Sequence, residues 1–435
     1  MIRRTTIAWG AVAVTAALAL SACGGSGGGG GGTGAGGTTP LDGRGPITFA
    51  TGKDTSGNLQ KLVDTWNGAH PGEQVRIVEL PESADDQRQQ MVQNAQVKSD
   101  AFSVLNLDVV WTGEFAANRW VVELPQQQFD LQNFLQPAVE SAKYRGKLFA
   151  MPFKSNGGLL FYRKDLLQKA GIQQAPKTFA EMSADCQKVL ALPDAAGMSC
   201  YSGQYEKYEG LTANFAEAVN SAGGTIIDAD GKPSVNTPQA KTALDTLVQG
   251  FKSGMIPKEA ITFKEEDSRR AFEAGKLVFE NIWPYQWAKA NQTDGSSQVV
   301  GKFDVAPLPG ISGPGVSTIG GYNMAISSFA KNKATALDFI KYMTSEQTQR
   351  SNLLATSEAP VLTKLYDDPE LVQKYPYLPT LKASIMGAKP RPVVVHYGDV
   401  TKAIQESVYA ALSGQKPTDA ALSELQQKLQ QLTQQ

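Results

Sequence analysis

Apolar and polar positions along this chain follow two alternating rhythms. "PITFAT", residues 46–51, reads as a strand. In "GNLQKLVDTWNGAHPG" the apolar residues Leu59, Leu62, Val63 and Trp66 recur at helical spacing, and Pro71-Gly72 ends the run. "VRIVEL" predicts a second strand and "DDQRQQMVQNAQVKS" a polar, amphipathic helix. "VLNLDVVW" is a nearly continuous apolar run of the kind buried in a parallel sheet. Strand, helix, strand, helix, strand is an α/β pattern, and ligands of such folds sit at the carboxyl ends of the strands.

The same alternation returns with longer helices. "NTPQAKTALDTLVQGFKSGMIP" offers an Asn/Thr cap, Pro238 in its first turn and Gly254 past its end. "GKLVFENIWPY" predicts a strand running into a loop, and "FDVAPLPGISGPGVSTIGGYNMAIS" a strand, a Gly/Pro loop and a second strand. From Lys331 onward the pattern is mostly helical. Leu422, Leu425, Leu429 and Leu432 in the Gln-rich end predict a terminal helix that frays.

The first 45 residues break both rhythms. Arg3 and Arg4 precede an uncharged, largely apolar core from Ile7 to Leu20. That core is too short to span a bilayer stably, so residues 1–22 read as a cleaved export signal. "LSAC", residues 20–23, resembles the lipobox of bacterial lipoproteins, whose cysteine is acylated and begins the mature chain. Cys23 is therefore the expected lipidation site. Glycine loses the most backbone entropy on ordering, so the glycine tract that fills most of residues 23–45 reads as a flexible tether. About twenty such residues reach on the order of 25 Å. No later segment has eighteen uncharged apolar residues in a row, which leaves lipid at Cys23 as the expected membrane attachment.

The remaining chain is too long for one core and implies two domains. Without Arg3 and Arg4, 39 basic residues face 42 acidic ones, a net of −3. This balance, with no basic stripe interleaved with aromatics, argues against a nucleic-acid partner. Cys186 and Cys200, fourteen positions apart in an exported chain, are expected to form one disulfide rather than a metal site. A metal site would need more Cys or His nearby, and His70 and His396 are the only histidines. Asp228-Ala229-Asp230-Gly231 is faintly similar to a calcium loop, but Ile226 occupies the first ligand position, so it reads as a hairpin turn. There is no P-loop and no G-x-S-x-G serine. Neither a cofactor nor a catalytic residue is expected; carboxylate pairs alone could serve catalysis.

Several segments in order resemble one family. They are "LNLDVVWTGEFAANRWVVEL", "GKLFAMPFKSNGGLLFYRKDLL", "YEGLTANFAEAVNSAGG", "RRAFEAGKLVFENIWPY" and "TIGGYNMAIS". Together they are similar to the extracellular solute-binding lipoproteins of bacterial ABC sugar importers, with the closest look to the trehalose/maltose-binding branch. The resemblance implies a periplasmic-binding-protein-like α/β fold of two lobes joined by hinge crossovers over a ligand cleft. Lobe 1 is expected over 46–155 plus about 300–355, and lobe 2 over 156–299 plus about 356–435. It also implies a disaccharide ligand, permease subunits as partners, a monomer, and a place on the outer face of the cell membrane.

A sugar presents vicinal hydroxyls and an apolar C–H face, which carboxylates, amides and flat aromatic rings can cover. Asp108 is a lone carboxylate inside "LNLDVVW", needing either a salt-bridge partner or a ligand. The matching family aspartate accepts from sugar hydroxyls; Trp111, three residues on, either walls the cleft or packs in the core. Asn156 before Gly-Gly marks either a plain turn or, by resemblance, a sugar contact near the first crossing. Trp283, held extended by Pro284, matches a tryptophan that stacks on a pyranose, with Tyr285 and Trp287 beside it. Glu265 matches a sugar-binding glutamate, although Glu266 fits nearly as well and acids here also suit a helix start. Gly320 and Gly321 with Tyr322 would let backbone approach the ligand; the residue matching Tyr322 is often smaller and aliphatic. Arg391, between two prolines, can donate two parallel hydrogen bonds. Gln87 and Asp54 are further ligand candidates, and Glu209 a weaker one.

Two functions of different class follow. One is a binding module that closes over a disaccharide and hands it to a permease. The other is an extracellular glycoside hydrolase using a carboxylate pair such as Asp108 and Glu265.

Overall fold

The computed structural model describes residues 40–434. The expected export signal, the expected lipidation site Cys23 and the expected tether as far as residue 39 lie outside the described residues.

Among the described residues eleven strands form in chain order. They are β1 (Ile47–Gly52), β2 (Val75–Leu80), β3 (Val104–Asp108), β4 (Lys143–Tyr144), β5 (Lys147–Leu148) and β6 (Ala150–Gly157), followed by β7 (Leu159–Tyr162), β8 (Ser199–Ser202), β9 (Leu277–Ile282), β10 (Asp304–Ala306) and β11 (Ile319–Ile326). One sheet runs β2-β1-β3-β11-β6, the other β10-β7-β9-β8, and β4 and β5 make a small ribbon. In the first sheet β1, β2 and β3 are parallel, while β11 enters antiparallel between β3 and β6. Every residue of β3 is buried, as its continuous apolar run requires. The expected helices follow at Leu59–Ala69, on Leu59, Leu62, Val63 and Trp66, and at Ala84–Gln96. Helix Pro238–Ser253 starts on Thr237, whose hydroxyl accepts from the Ala240 amide, and stops at left-handed Gly254.

The two sheets sit in two lobes. Phe49, Leu107, Met151 and Phe339 belong to one apolar cluster, and Phe215, Leu244, Phe279 and Val408 to another. Helix Leu378–Gly387 packs on β6 of the first sheet and helix Pro369–Lys374 packs on that helix, so the boundary expected near residue 356 falls instead at about residues 388–396. The terminal helix Thr418–Thr433 does not fray: Leu422, Leu425 and Leu429 are fully buried against the second core. Asp228 to Gly231 form a turn closed by the Asp228 amide on the Lys232 carbonyl (2.9 Å). Cys186 and Cys200 are bonded, tying helix Phe179–Leu190 to β8. Among the described residues no helix is long and apolar enough to cross a membrane.

Three chain crossings join the lobes: Gly157-Gly158, the segment before β11, and residues 388–396. They are stitched together by hydrogen bonds. The Gly158 amide donates to Ser317 Oγ (2.6 Å), Ser384 Oγ donates to the Gly158 carbonyl (2.9 Å), and the Ile319 amide donates to the Lys389 carbonyl (3.0 Å). Buried Glu217 accepts from Asn281 Nδ2 (2.8 Å), Ser317 Oγ (3.1 Å) and the Thr318 amide (3.2 Å). A Cβ on Gly158 would sit 2.6 Å from that carboxylate, which is why the first crossing needs glycine there.

On β9, Glu280 is 0% exposed and its Oε2 accepts from Gln286 Nε2 (3.1 Å), while Oε1 has no partner. Burial pushes this carboxyl well above its ordinary value of 4.5. A raised folded-state value means the native chain binds the extra proton, so this stability is full below the unfolded value and fades as pH rises toward the folded one. We expect the unfolding free energy measured in urea to fall as pH rises above the ordinary carboxyl range. Glu280→Gln should be the more stable form at pH 8 and flatten the slope. An equal slope in the variant would show that Glu280 does not hold the proton.

Candidate functional site

The carboxyl ends of β1 and β3, the start of β11 and the end of β6 face the second lobe across a single cleft. It encloses about 1390 Å³, open mouth included. Asp54, Gln87, Asp108, Asn156, Glu265, Trp283, Gly321, Tyr322 and Arg391 all line it. Residues more than 300 positions apart in sequence are thus gathered in one place. Trp111 is not among them: it is 1% exposed and packs in the first core. Trp287 is also absent, packing instead on Phe303 and Tyr377.

Asp108 ends β3 and has both the fates open to a buried carboxylate. Its Oδ1 accepts from Arg391 Nη2 (2.6 Å), whereas Oδ2 has no protein partner among the described residues. Arg391 is 3% exposed, and its other terminal nitrogen pairs with Glu209 at the head of helix Glu209–Ser221. Glu209 is held further by Tyr397 Oη and by Thr401 Oγ1 (2.7 Å). Burial pushes the Glu209 carboxyl up, against the pull of Arg391. Two of the five guanidinium N–H groups of Arg391 thus meet acids, and Nε is buried without a partner among the described residues.

Asp54 is likewise occupied by its own loop. Its carboxylate accepts from the Ser56 amide (2.9 Å) and hydroxyl (2.5 Å) and from the Leu59 amide (3.0 Å), where helix Leu59–Ala69 begins. It lies in the cleft wall and also braces its own loop. Gln87, by contrast, keeps a buried oxygen, Oε1, with no partner.

The second-lobe wall holds the two neighbouring glutamates differently. Both oxygens of Glu266 are engaged, by Arg269 Nε (2.9 Å) and by Tyr285 Oη (2.9 Å). Glu265 has no ion pair among the described residues and accepts from Tyr208 Oη at one oxygen (2.6 Å). Burial raises its carboxyl above the usual range, against the hydrogen bond from Tyr208. Asn156 is the penultimate residue of β6, paired with Gly320, and not part of a turn. Its amide makes no hydrogen bond within the described residues.

Trp283 leaves β9 and lays its ring edge on β11: a Cβ at Gly320 would be 2.9 Å from the ring. At Gly321, φ is +113° and a Cβ would meet the Lys154 carbonyl at 2.1 Å. Both glycines thus serve strand packing and the tryptophan, rather than only leaving room for a ligand. The ladder slips register directly afterwards, between Tyr322 and Asn323. Tyr322 stands between Asp108 and Lys154 on its two neighbouring strands, with burial raising its hydroxyl pKa.

Residues 51–350 match the model of the family described as bacterial extracellular solute-binding protein. The chain belongs to that family. A Deinococcus radiodurans protein named "Probable ABC transporter-binding protein" is 32% identical over 397 residues, covering 88% of this chain and 92% of that protein. Maltose-bound MalE3 of T. maritima superposes with a TM-score of 0.84 at 32% identity, over 89% of this chain and 99% of the other. A solute-binding protein of Agrobacterium vitis with bound D-mannitol shares the fold, with a TM-score of 0.77 at 22% identity over 89% and 98% of the two chains. These relatives are binding proteins rather than enzymes.

For this solute-binding protein, sequence reasoning passed over several cleft residues. Lys154 pairs with Glu358 (2.5 Å), Tyr208 orients Glu265, and Asn106 lies on the same strand as Asp108. Lys154 and Glu358 are 204 positions apart and carry no shared motif. Asn106 did leave a signal, being a polar residue inside the same apolar run, two positions before Asp108 and so on the same strand face.

Removing one member of a buried ion pair strands the others, so Arg391→Ala is expected to lower the unfolding free energy by about 3–5 kcal/mol. Asn156→Ala, which breaks no internal bond, should stay within about 0.5 kcal/mol. Urea unfolding of both variants checks the contrast; similar costs would mean that the Arg391 cluster does not support the fold.

Proposed function

We propose that this chain is the solute-binding component of an ABC importer that captures a disaccharide, trehalose or another α-glucoside, and delivers it to a membrane permease. The observation that carries the proposal is the convergence in one interlobe cleft of an aromatic ring, Trp283, with the acceptors Asp108 and Glu265 and the unengaged amide Asn156. A ring face suits the C–H face of a pyranose, and carboxylates and amides suit its hydroxyls. Asp108 and Asn156 come from the first lobe, Glu265 and Trp283 from the second. A sugar bridging them would favour the closed arrangement by as much as it prefers that arrangement. Family membership and the maltose-bound neighbour support the ligand class and the transporter context. The "LSAC" segment supports acylation at Cys23, holding the protein on the outer face of the cell membrane.

Any ligand selective for the native state raises its stability, by about 2.7 kcal/mol at a hundred times Kd. A thermal-shift panel should therefore show Tm rising with trehalose or maltose concentration. Trp283→Ala and Asn156→Ala should each weaken that sugar about tenfold or more, measured by calorimetry, with unfolding midpoints little changed. No shift with any α-glucoside would refute the ligand assignment. Asp108→Ala is the less clean probe, because it also removes a partner of Arg391.

A further inference from the structure

A seam outside the cleft joins the two lobes directly. Helix Ala84–Gln96 packs on β1, β2 and β3 of the first lobe, and helix Tyr397–Leu412 buries Val400, Ile404 and Val408 in the core of the second. Side chains of the two helices meet at two points. Gln405 Nε2 donates to Asp85 Oδ2 (3.3 Å). The Arg88 guanidinium spreads over Gly398, where a Cβ would fall 2.2 Å from Nη1 and 2.3 Å from Cζ. Asp85 and Arg88 share one face of their helix, as Gly398 and Gln405 do of theirs. None of these four residues lines the cleft.

Each side of the seam is fixed by its own lobe. Arg88 Nε donates to Glu114 Oε2 (2.8 Å) and Nη2 pairs with the other oxygen of that carboxylate, so the guanidinium is not free to swing aside. Gln405 is 6% exposed and also donates to Thr401 Oγ1 (3.1 Å), whose hydroxyl donates to Glu209 Oε2 (2.7 Å). Tyr397, Thr401 and Gln405, each four positions from the next, thus make a polar stripe that runs from the Arg391 cluster to Asp85. Burial pushes the Asp85 carboxyl up, against the hydrogen bond from Gln405 and the charge of Arg88, so the seam takes it partly out of water. The seam also borders the cleft: Ser83 and Ala84, next to Asp85, line one wall, and Glu209 lines the other. Drawing those walls apart parts Asp85 from Gln405.

We infer that Asp85, Arg88, Gly398 and Gln405 form an interlobe latch that strengthens ligand capture without touching the ligand, by favouring the arrangement in which the cleft walls face each other. The inference rests on the sugar-binding proposal above and adds what regulates that site. Apparent affinity scales with the fraction of molecules in the binding-competent arrangement, so contacts remote from the sugar count toward it. The latch also explains the glycine at 398, since a side chain there would wedge the helices apart.

Calorimetric titration of the full mature chain with trehalose and maltose, joined with small-angle X-ray scattering of the ligand-free protein, tests this. Gln405→Ala and Gly398→Ala should each weaken the preferred disaccharide about fivefold to tenfold and enlarge the ligand-free radius of gyration. Alanine is the better helix former, so Gly398→Ala should not lower the Tm of the ligand-free protein, which separates a wedge from general destabilisation. Asp85→Asn, which keeps an acceptor oxygen, should retain most of the affinity that Asp85→Ala loses. Unchanged or tighter binding in either Gln405→Ala or Gly398→Ala overturns the latch, and so does an unchanged ligand-free radius. If neither sugar binds the unaltered protein, the disaccharide assignment falls, and the ligand-free radius by itself still decides the latch.

Discussion

A guanidinium that is 3% exposed has to meet opposite charge, and at Arg391 that requirement organises the centre of the molecule. Its partners are Asp108, at the end of a first-lobe strand, and Glu209, at the start of a second-lobe helix. Arg391 itself belongs to the third crossing. One buried cluster therefore fixes the end of β3, the mouth of the helix Glu209–Ser221 and the route of the chain between lobes. It also decides how the cleft presents its chemistry. With Oδ1 of Asp108 taken by the arginine, a single oxygen remains on that residue for anything in the cleft.

The crossings show the same economy with neutral partners. Glu217 gathers donors from Asn281, Ser317 and Thr318, and Ser317 in turn holds the Gly158 amide. Extended segments that leave one sheet and enter another would expose unpaired amides; here those of Gly158, Thr318, Ile319 and Lys389 find partners in a neighbouring crossing or in Glu217. Such a junction is rigid in cross-section yet consists of few residues per segment. That combination suits rotation about the crossings, where a handful of backbone angles absorb the change.

Much of this was legible in the chain, for identifiable reasons. Strands such as β3 and helices such as Leu59–Ala69 announced themselves because one face or both faces are buried, and burial writes itself as period or as an apolar run. Trp283 was legible because Pro284 follows it at a strand end. The Arg391 cluster was not, since Glu209 lies 182 positions from it and nothing local distinguishes a paired from a free arginine. The local bonds of Asp54 were hidden for a related reason: a carboxylate bracing the turn after it has the same sequence context as one facing a ligand. The lobe boundary shifted because amphipathic helices reveal that they pack, not on which sheet. Asn106 is the instructive omission, because the rule that singled out Asp108, a polar residue inside an apolar strand, applies to it equally.

The cleft's division of labour gives the proposed function its mechanism. Acceptors at β1 and β3 belong to one lobe; Trp283 and Glu265 belong to the other. A ligand touching only one wall would bind an open and a closed molecule alike and shift nothing, however tightly it held. A ligand long enough to engage both walls gains contacts only when they come together, so its length is converted into a conformational signal.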